Sequence, residues 1–473
     1  MADVSSTTTF LDLPLVLVIH IITLLTFSDA YNVCCLSREW MRERLWCFCA
    51  SIDLHEESHL DMAGMQRHLS LGRRIRATKL KNVGRVRFCV MAEMAISRVQ
   101  TPTLNSFSLQ IAFTSKLKGQ VNRWLSAALS KRVAEVSLDM ADRDTTLPIH
   151  TDPYVVPSFF FEERTSIMIV RLSACVIRNE CSFRGFSHLT SLALDGIKFR
   201  SNMNIDESFV GCPLLENLVI VSCFGILKIE LGSGMERLTT LVVRDCEPIP
   251  NGIVLIGTSL EHFEYKGALI RFDFGGLDFL DSVIFNFIDT AYPYDHMETC
   301  YFLSGIYFPR AFAITTPAIK VLPWEFMFLR MPPINLPYVQ RLTIKTSLEQ
   351  FEMATILTLL RCATYLKHLI ILPFNMSREM IEIHTRLYPY DDFPDGFWET
   401  GDDTAMPQLK IVEYGDFAGR LLDFKLLRFI LHSSHNLEKV VLKLRLGTYP
   451  SQTQLQELME EPVASRRVKI LFH

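Results

Sequence analysis

The sequence predicts an α/β protein: a small all-α N-terminal domain followed by an irregular solenoid whose strands line a concave, horseshoe-like parallel sheet. Three observations predict it. Apolar residues recur at the first, fourth and sixth places of a short motif along most of the 473 residues. Successive copies are spaced at the interval of a repeat protein rather than of a hairpin. The N-terminus instead opens on an uncharged apolar run, LPLVLVIHIITLLTF at residues 13–27, that reads as a helix.

That run is expected to be neither an anchor nor a leader. Its fifteen residues fall short of the roughly 20 that a helix needs to cross a bilayer. A signal peptide begins with cations, whereas the residues ahead of this run carry Asp3 and Asp12 and no Lys or Arg. What remains is a helix whose apolar faces must be covered by protein.

The repeat follows. A first–fourth–sixth apolar pattern marks a short strand with alternating inward positions. It is seen at Leu104/Phe107/Leu109, Val133/Val136/Leu138, Ile167/Val170/Leu172, Leu189/Leu192/Leu194, Leu215/Leu218/Ile220, Leu238/Leu241/Val243, Leu260/Phe263/Tyr265 and Leu280/Val283/Phe285. Later copies fall at Val339/Leu342/Ile344, Leu366/Leu369/Ile371, Leu409/Val412/Tyr414 and Leu437/Val440/Leu442. From Ile167 to Leu280 the first positions step by 22, 26, 23, 22 and 20 residues, the interval of leucine-rich repeats. The steps are 29 and 34 before this run and 59, 27, 43 and 28 after it, so the array carries insertions. The 59-residue step leaves room for a degenerate unit around Phe312 and Ile314. Three copies end in Cys175, Cys223 and Cys246, where a small thiol suits a chain turning back into the core. Positions between the core residues, such as Asn217, Val219, Glu261, His262 and Glu264, are expected on the concave face, a surface for macromolecules.

Composition excludes several classes. Net charge is −4 and 21% of residues are charged, which gives no general field for nucleic acid or an anionic membrane. The twelve cysteines are scattered and contain no CxxC pair, which favours a reducing compartment, cytoplasmic or nuclear. One glycosylation sequon, at Asn375–Ser377, is at chance level.

Residues 13–54 resemble an F-box of the plant type. The matching positions are Leu13-Pro14, Leu17, Ile21, Ile22, Leu25, Asp29-Ala30, Leu36-Ser37, Trp40 and Leu45-Trp46. The likeness continues at Val121–Trp124 with Ala128–Val133, at Cys212-Pro-Leu-Leu-Glu216, and at Phe397–Glu399, Leu409–Val412, Phe417–Gly419 and Leu437–Val440, in the order of plant F-box/leucine-rich-repeat proteins of FBD type. The sequence departs from that pattern at Leu15, where most relatives carry an acid, and at Thr26, where proline is usual.

The resemblance implies three segments: an F-box-like helical domain at 8–54, irregular repeats at 70–385 and an FBD-like region at 386–473. It implies a substrate-recognition subunit of an SCF-type ubiquitin ligase. Leu13, Pro14, Leu17, Ile21, Ile22, Leu25, Leu36, Ser37, Trp40 and Trp46 are then expected to serve a Skp-family adaptor, and through it a cullin, with part of them internal. The repeats would hold a protein substrate of unknown identity. No catalytic residue, cofactor, metal, nucleic acid or membrane is expected. The competing expectations are a stand-alone repeat scaffold with a degenerate F-box, and a metalloenzyme.

The metalloenzyme reading rests on His55-Glu-Glu-Ser-His59, which matches HExxH. That chemistry needs both histidines on one helix face and a third ligand. Here the motif follows Ser51–Leu54, which reads as a strand, and Met62 and Met65 stand where an extended motif has Gly and His. It reads as a polar surface loop. Residues 67–87 hold eight Lys and Arg and no acid. Without interleaved aromatics they read as the solvated outer face of the first repeat, with Ile75, Leu80 and Val83 on the core side. The acidic stretch from Tyr388 to Asp403 reads as a solvated connection. Gly232-Ser-Gly234 reads as a turn, since no Lys-Ser/Thr follows.

Overall fold

The computed structural model describes residues 13–143, 152–232, 234–268, 270–275, 277, 280–287, 309–315, 336–375, 378, 381–382, 406–445 and 463–472. The chain forms two compact units, one of residues 1–203 with 207–225 and one of residues 204–206 with 226–473.

The first unit opens with three short helices, α1 (Leu15–Leu24), α2 (Phe27–Cys34) and α3 (Arg38–Arg42), and a 3-10 turn at Leu45–Phe48. Pro14 starts α1, where a missing N–H costs nothing. Thr26 caps α2 by accepting from the Asp29 N–H, and Ser37 caps α3 through the Trp40 N–H. A strand β1 (Ser51–His55) leaves this domain, and the helices α4 (Met62–Ser70) and α5 (Arg74–Arg98) follow. Then come β2 (Ser106–Gln110), α6 (Lys118–Ser130) and β3 (Glu135–Asp139). After these, the return segments become strands. The order is β4 (Tyr154–Val155), β5 (Ile169–Ser173), β6 (Cys175–Ile177), β7 (Ser191–Asp195), β8 (Lys198–Ile205), a turn of helix α7 (Glu207–Val210) and β9 (Asn217–Val221).

Every pairing in the unit's larger sheet is parallel, in the order β1-β2-β3-β5-β7-β9. The fourth-place residues stack as Ile52, Phe107, Val136, Val170, Leu192 and Leu218, and the sixth-place residues as Leu54, Leu109, Leu138, Leu172, Leu194 and Ile220. All twelve are buried. A slip by one residue would turn a whole strand's apolar set to solvent, so this pattern fixes the register.

The second unit continues the same logic. Its strands are β10 (Phe224–Leu231), β11 (Thr240–Arg244), β12 (Ile253–Ile256), β13 (His262–Gly267), β14 (Phe272–Gly275), β15 (Ser282–Phe287), β16 (Ala311–Thr315), β17 (Arg341–Thr346), β18 (His368–Pro373), β19 (Ile411–Phe417), β20 (Lys439–Leu444) and β21 (Lys469–Phe472). Helix α8 (Gln350–Cys362) joins β17 to β18, and α9 (Leu421–Ser433) joins β19 to β20. The degenerate unit is β16, with Phe312 and Ile314 in register with Val283 and Phe285. The strand β21 carries no full copy of the apolar pattern and is an addition to what the sequence predicted.

The three cysteine turns share one geometry. Ala174, Ser222 and Asp245 adopt φ of 54°, 50° and 52°, and each precedes its cysteine. The thiols of Cys175, Cys223 and Cys246 donate to the carbonyls of Ser173, Val221 and Arg244, two residues back. A left-handed residue followed by a small side chain reverses the chain from the larger sheet into the smaller one. That smaller sheet pairs β4-β6-β8 in the first unit and β10-β12-β14 in the second. The strand pattern of the larger sheet did not foretell it.

Candidate functional site

The N-terminal helical domain is closed by its own core. Phe27 meets Trp46 edge-on with ring centroids 5.6 Å apart, and Tyr31 lies 6.1 Å from the same indole. Val18, Ile22, Ala30, Cys34, Trp40 and Leu45 complete it. Burial pushes the Cys34 and Cys49 thiols up to about 11 and about 12, so they serve as packing groups, not nucleophiles. The Ser28 N–H donates to Asp53 Oδ1 at 3.2 Å, which ties α2 to the first strand of the sheet.

Helix geometry then sorts the apolar run. At about 100° per residue, Val18 and Ile22 lie on one side of α1 and Val16, Leu17, His20 and Leu24 lie within about 100° of each other on the opposite side. The first pair is fully buried; Val16 is 77% and Leu24 71% exposed. Leu15 and Leu36 are exposed too. Of the sequence-predicted residues, Pro14, Leu17 and Leu36 are exposed and Leu13, Ile21, Leu25 and Ser37 are half-buried. Ile22, Trp40 and Trp46 are buried in the domain's own core. The exposed apolar surface of α1 also takes in Val16 and Leu24, which were not among the residues expected to face an adaptor. The signal was present in the wheel positions, but nothing local says which side of a uniformly apolar helix is covered.

His55 and His59 do not share a helix face. His55 ends β1 and its Nδ1 lies 2.8 Å from Gln110 Oε1, while His59 closes a 3-10 turn (Glu56–His59) against the Phe88 ring. Glu56 is not on a polar surface loop, as the sequence suggested, but buried. It accepts from Arg85 Nε at 2.6 Å, Arg85 Nη2 at 3.1 Å and the Ala112 N–H at 2.9 Å. This carboxylate is a structural tie between the end of β1, α5 and the end of β2.

The basic segment also differs from expectation. Ile75 and Val83 are exposed, and Leu80 is half-buried. The side turned inward instead carries Ala77, Lys81, Gly84 and Phe88, with Lys81 paired to Asp142 at 3.3 Å. Glu264, expected on the concave face, is buried under its bidentate pairing with Arg244. The stretch from Tyr388 to Asp403, Phe397–Glu399 and Ser233 lie outside the described residues. Among the described residues, no helix is long and apolar enough to cross a membrane.

A stack of parallel strands with alternating inward aliphatics, joined to a small helical domain, defines a leucine-rich-repeat protein with an N-terminal helical domain. Comparison with known proteins gives the same class. The family model described as the leucine-rich-repeat domain of At1g61320/AtMIF1 matches residues 91–283. The F-box/FBD/LRR-repeat protein At1g13570 of Arabidopsis thaliana is 23% identical over 98% of this chain and 97% of its own length. The F-box protein At3g62230 of the same plant is 22% identical over 73% of this chain and 74% of its own. A third relative, At3g29830, whose name also describes an F-box protein, is 24% identical over 55% of this chain, and the chain spans only 52% of it. The chain is thus similar to plant F-box/leucine-rich-repeat proteins.

Proposed function

We propose that the chain is the substrate-recognition subunit of an SCF-type (cullin-RING) ubiquitin ligase. Its helical domain, residues 8–54, docks on a Skp-family adaptor and through it a cullin. The repeats hold a protein substrate, and the chain performs no bond chemistry itself. It acts in the cytosol or nucleus. The observation that carries this reading is the outward face of α1: Val16, Leu17 and Leu24 stay exposed although the domain's core is complete. An apolar helical face of this kind is completed by a partner's helices. Bringing a substrate beside the ubiquitin-carrying enzyme then raises its effective concentration without new contacts.

A stand-alone scaffold is the second reading. It is favoured by Leu15, an exposed leucine on α1 where most relatives place an acid. Binding of the purified full-length chain to a Skp adaptor separates the two. A complex at micromolar concentration supports the ligase reading, and no binding at that concentration ends it.

A further inference from the structure

The helix α5 is apolar on two opposite sides. Its inward side carries the large ring of Phe88 together with Ala77, Gly84, Ala92 and Ala95, small residues that let the helix pack closely on its neighbours. At about 100° per residue, Ile75, Val83, Val86 and Val90 fall within an arc of about 80° on the other side. They stand 76%, 47%, 63% and 66% exposed. Three of the four are spaced as in a helix–helix seam, where β-branched residues seat as knobs between a partner's side chains. Nothing among the described residues covers them.

The charges around this stripe are one-sided. Arg76, Lys79 and Arg87 are exposed beside it, and none has a salt bridge among the described residues. The two inward cations, Lys81 and Arg85, are consumed by Asp142 and Glu56. The helix has one acid, Glu93, and it is held by the indole N–H of Trp124 at 2.7 Å. The field over the valines is therefore basic. A second copy of the same face would oppose cations to cations. Nucleic acid would gain nothing from a central valine stripe, and an interfacial membrane helix favours Trp, Phe and Leu over Val.

We propose that the outward face of α5 docks an acidic amphipathic helix of a partner protein. That helix would lay its apolar ridge on Val83, Val86 and Val90 and set its carboxylates against Arg76, Lys79 and Arg87. This docking surface is separate from α1 and does not depend on adaptor binding.

The test uses the full-length chain and a labelled synthetic peptide, an acidic amphipathic helix with a leucine ridge flanked by glutamates. The expected result is salt-sensitive binding in the micromolar range. Val86→Ser/Val90→Ser should weaken it about tenfold or more, from the apolar burial lost. Lys79→Glu/Arg87→Glu should abolish it and admit a peptide whose glutamates are replaced by lysines. Both variants change exposed side chains, and an unaltered thermal midpoint shows that they fold. The proposal is overturned if the acidic peptide does not bind, or if the valine variant binds it unchanged. Equal valine-independent binding of an RNA oligonucleotide or of phosphatidylserine vesicles would also overturn it. So would a homodimer that dissociates on Val86→Ser/Val90→Ser.

Discussion

Replacing Leu24 by Ser should separate partner docking from folding. Full burial of a leucine side chain contributes about 1.5–3 kcal/mol. Leu24 is 71% exposed at the end of α1, so complete coverage by a partner leaves about 1–2 kcal/mol at stake. The adaptor Kd should rise about five- to thirtyfold, while stability changes by no more than about 0.5 kcal/mol. Ile22, two residues away but fully buried, should behave in the opposite way. Its replacement by Ala should cost about 2–5 kcal/mol of stability through the cavity it leaves. Titration calorimetry with a Skp adaptor and urea unfolding followed by circular dichroism read the two quantities. An unchanged Kd for Leu24→Ser, with Ile22→Ala still destabilising, would refute the assignment of this face as the docking surface.

Three further outcomes follow from other parts of the molecule. Glu56→Ala leaves the Arg85 guanidinium and the Ala112 N–H without their carboxylate, and urea unfolding should show a loss of about 3–5 kcal/mol, partly recovered in Glu56→Ala/Arg85→Met. Burial holds the His59 imidazole below its ordinary 6.5, so the unfolded chain takes up its proton first as pH falls. Stability should therefore decline from about pH 6.5 downward, and His59→Gln should flatten the thermal midpoint between about pH 7.5 and about pH 5.5. Gly252 has φ of 73° and an added Cβ would lie 2.2 Å from the Arg271 carbonyl oxygen. Gly252→Ala should cost at least about 2 kcal/mol, whereas Gly72→Ala, at φ of 67° with open space around it, should lose only the left-handed penalty of about 1–2 kcal/mol.

The helical repeats at the C-terminal end show how local chemistry supports the array. Asp423, in the first turn of α9, is fully buried and accepts from the Tyr414 hydroxyl at 2.7 Å and the Arg420 N–H at 2.7 Å. Glu352 does the same in α8, accepting from the Thr346 and Ser347 hydroxyls at 2.7 and 2.9 Å. Each acid follows a left-handed residue near the end of the preceding strand, Asp416 in one case and Leu348 in the other. A strand end, a reversed residue and an acid in the first helical turn form one reusable joint. Tyr414 and Leu409 were legible as core positions, but the carboxylate beneath Tyr414 was not, because it comes from another element.

The amino-acid order by itself determined the ladder. A period of two with apolar fourth and sixth positions admits one register against a parallel neighbour, because a slip would put Val136 or Leu342 in water. It also placed the weak repeat at Phe312 and Ile314, since the strand spacing leaves a gap that only another strand fills. Tertiary structure decided what faces what. Helices α1 and α5 are apolar on more than one side, so their own residues do not choose which side is buried; the neighbours do, by offering Phe27 and Trp46 to one and the repeat core to the other. For the same reason Ile22 and Trp40 became core, Leu24 became surface, and the valines of α5 were left outside with their cations.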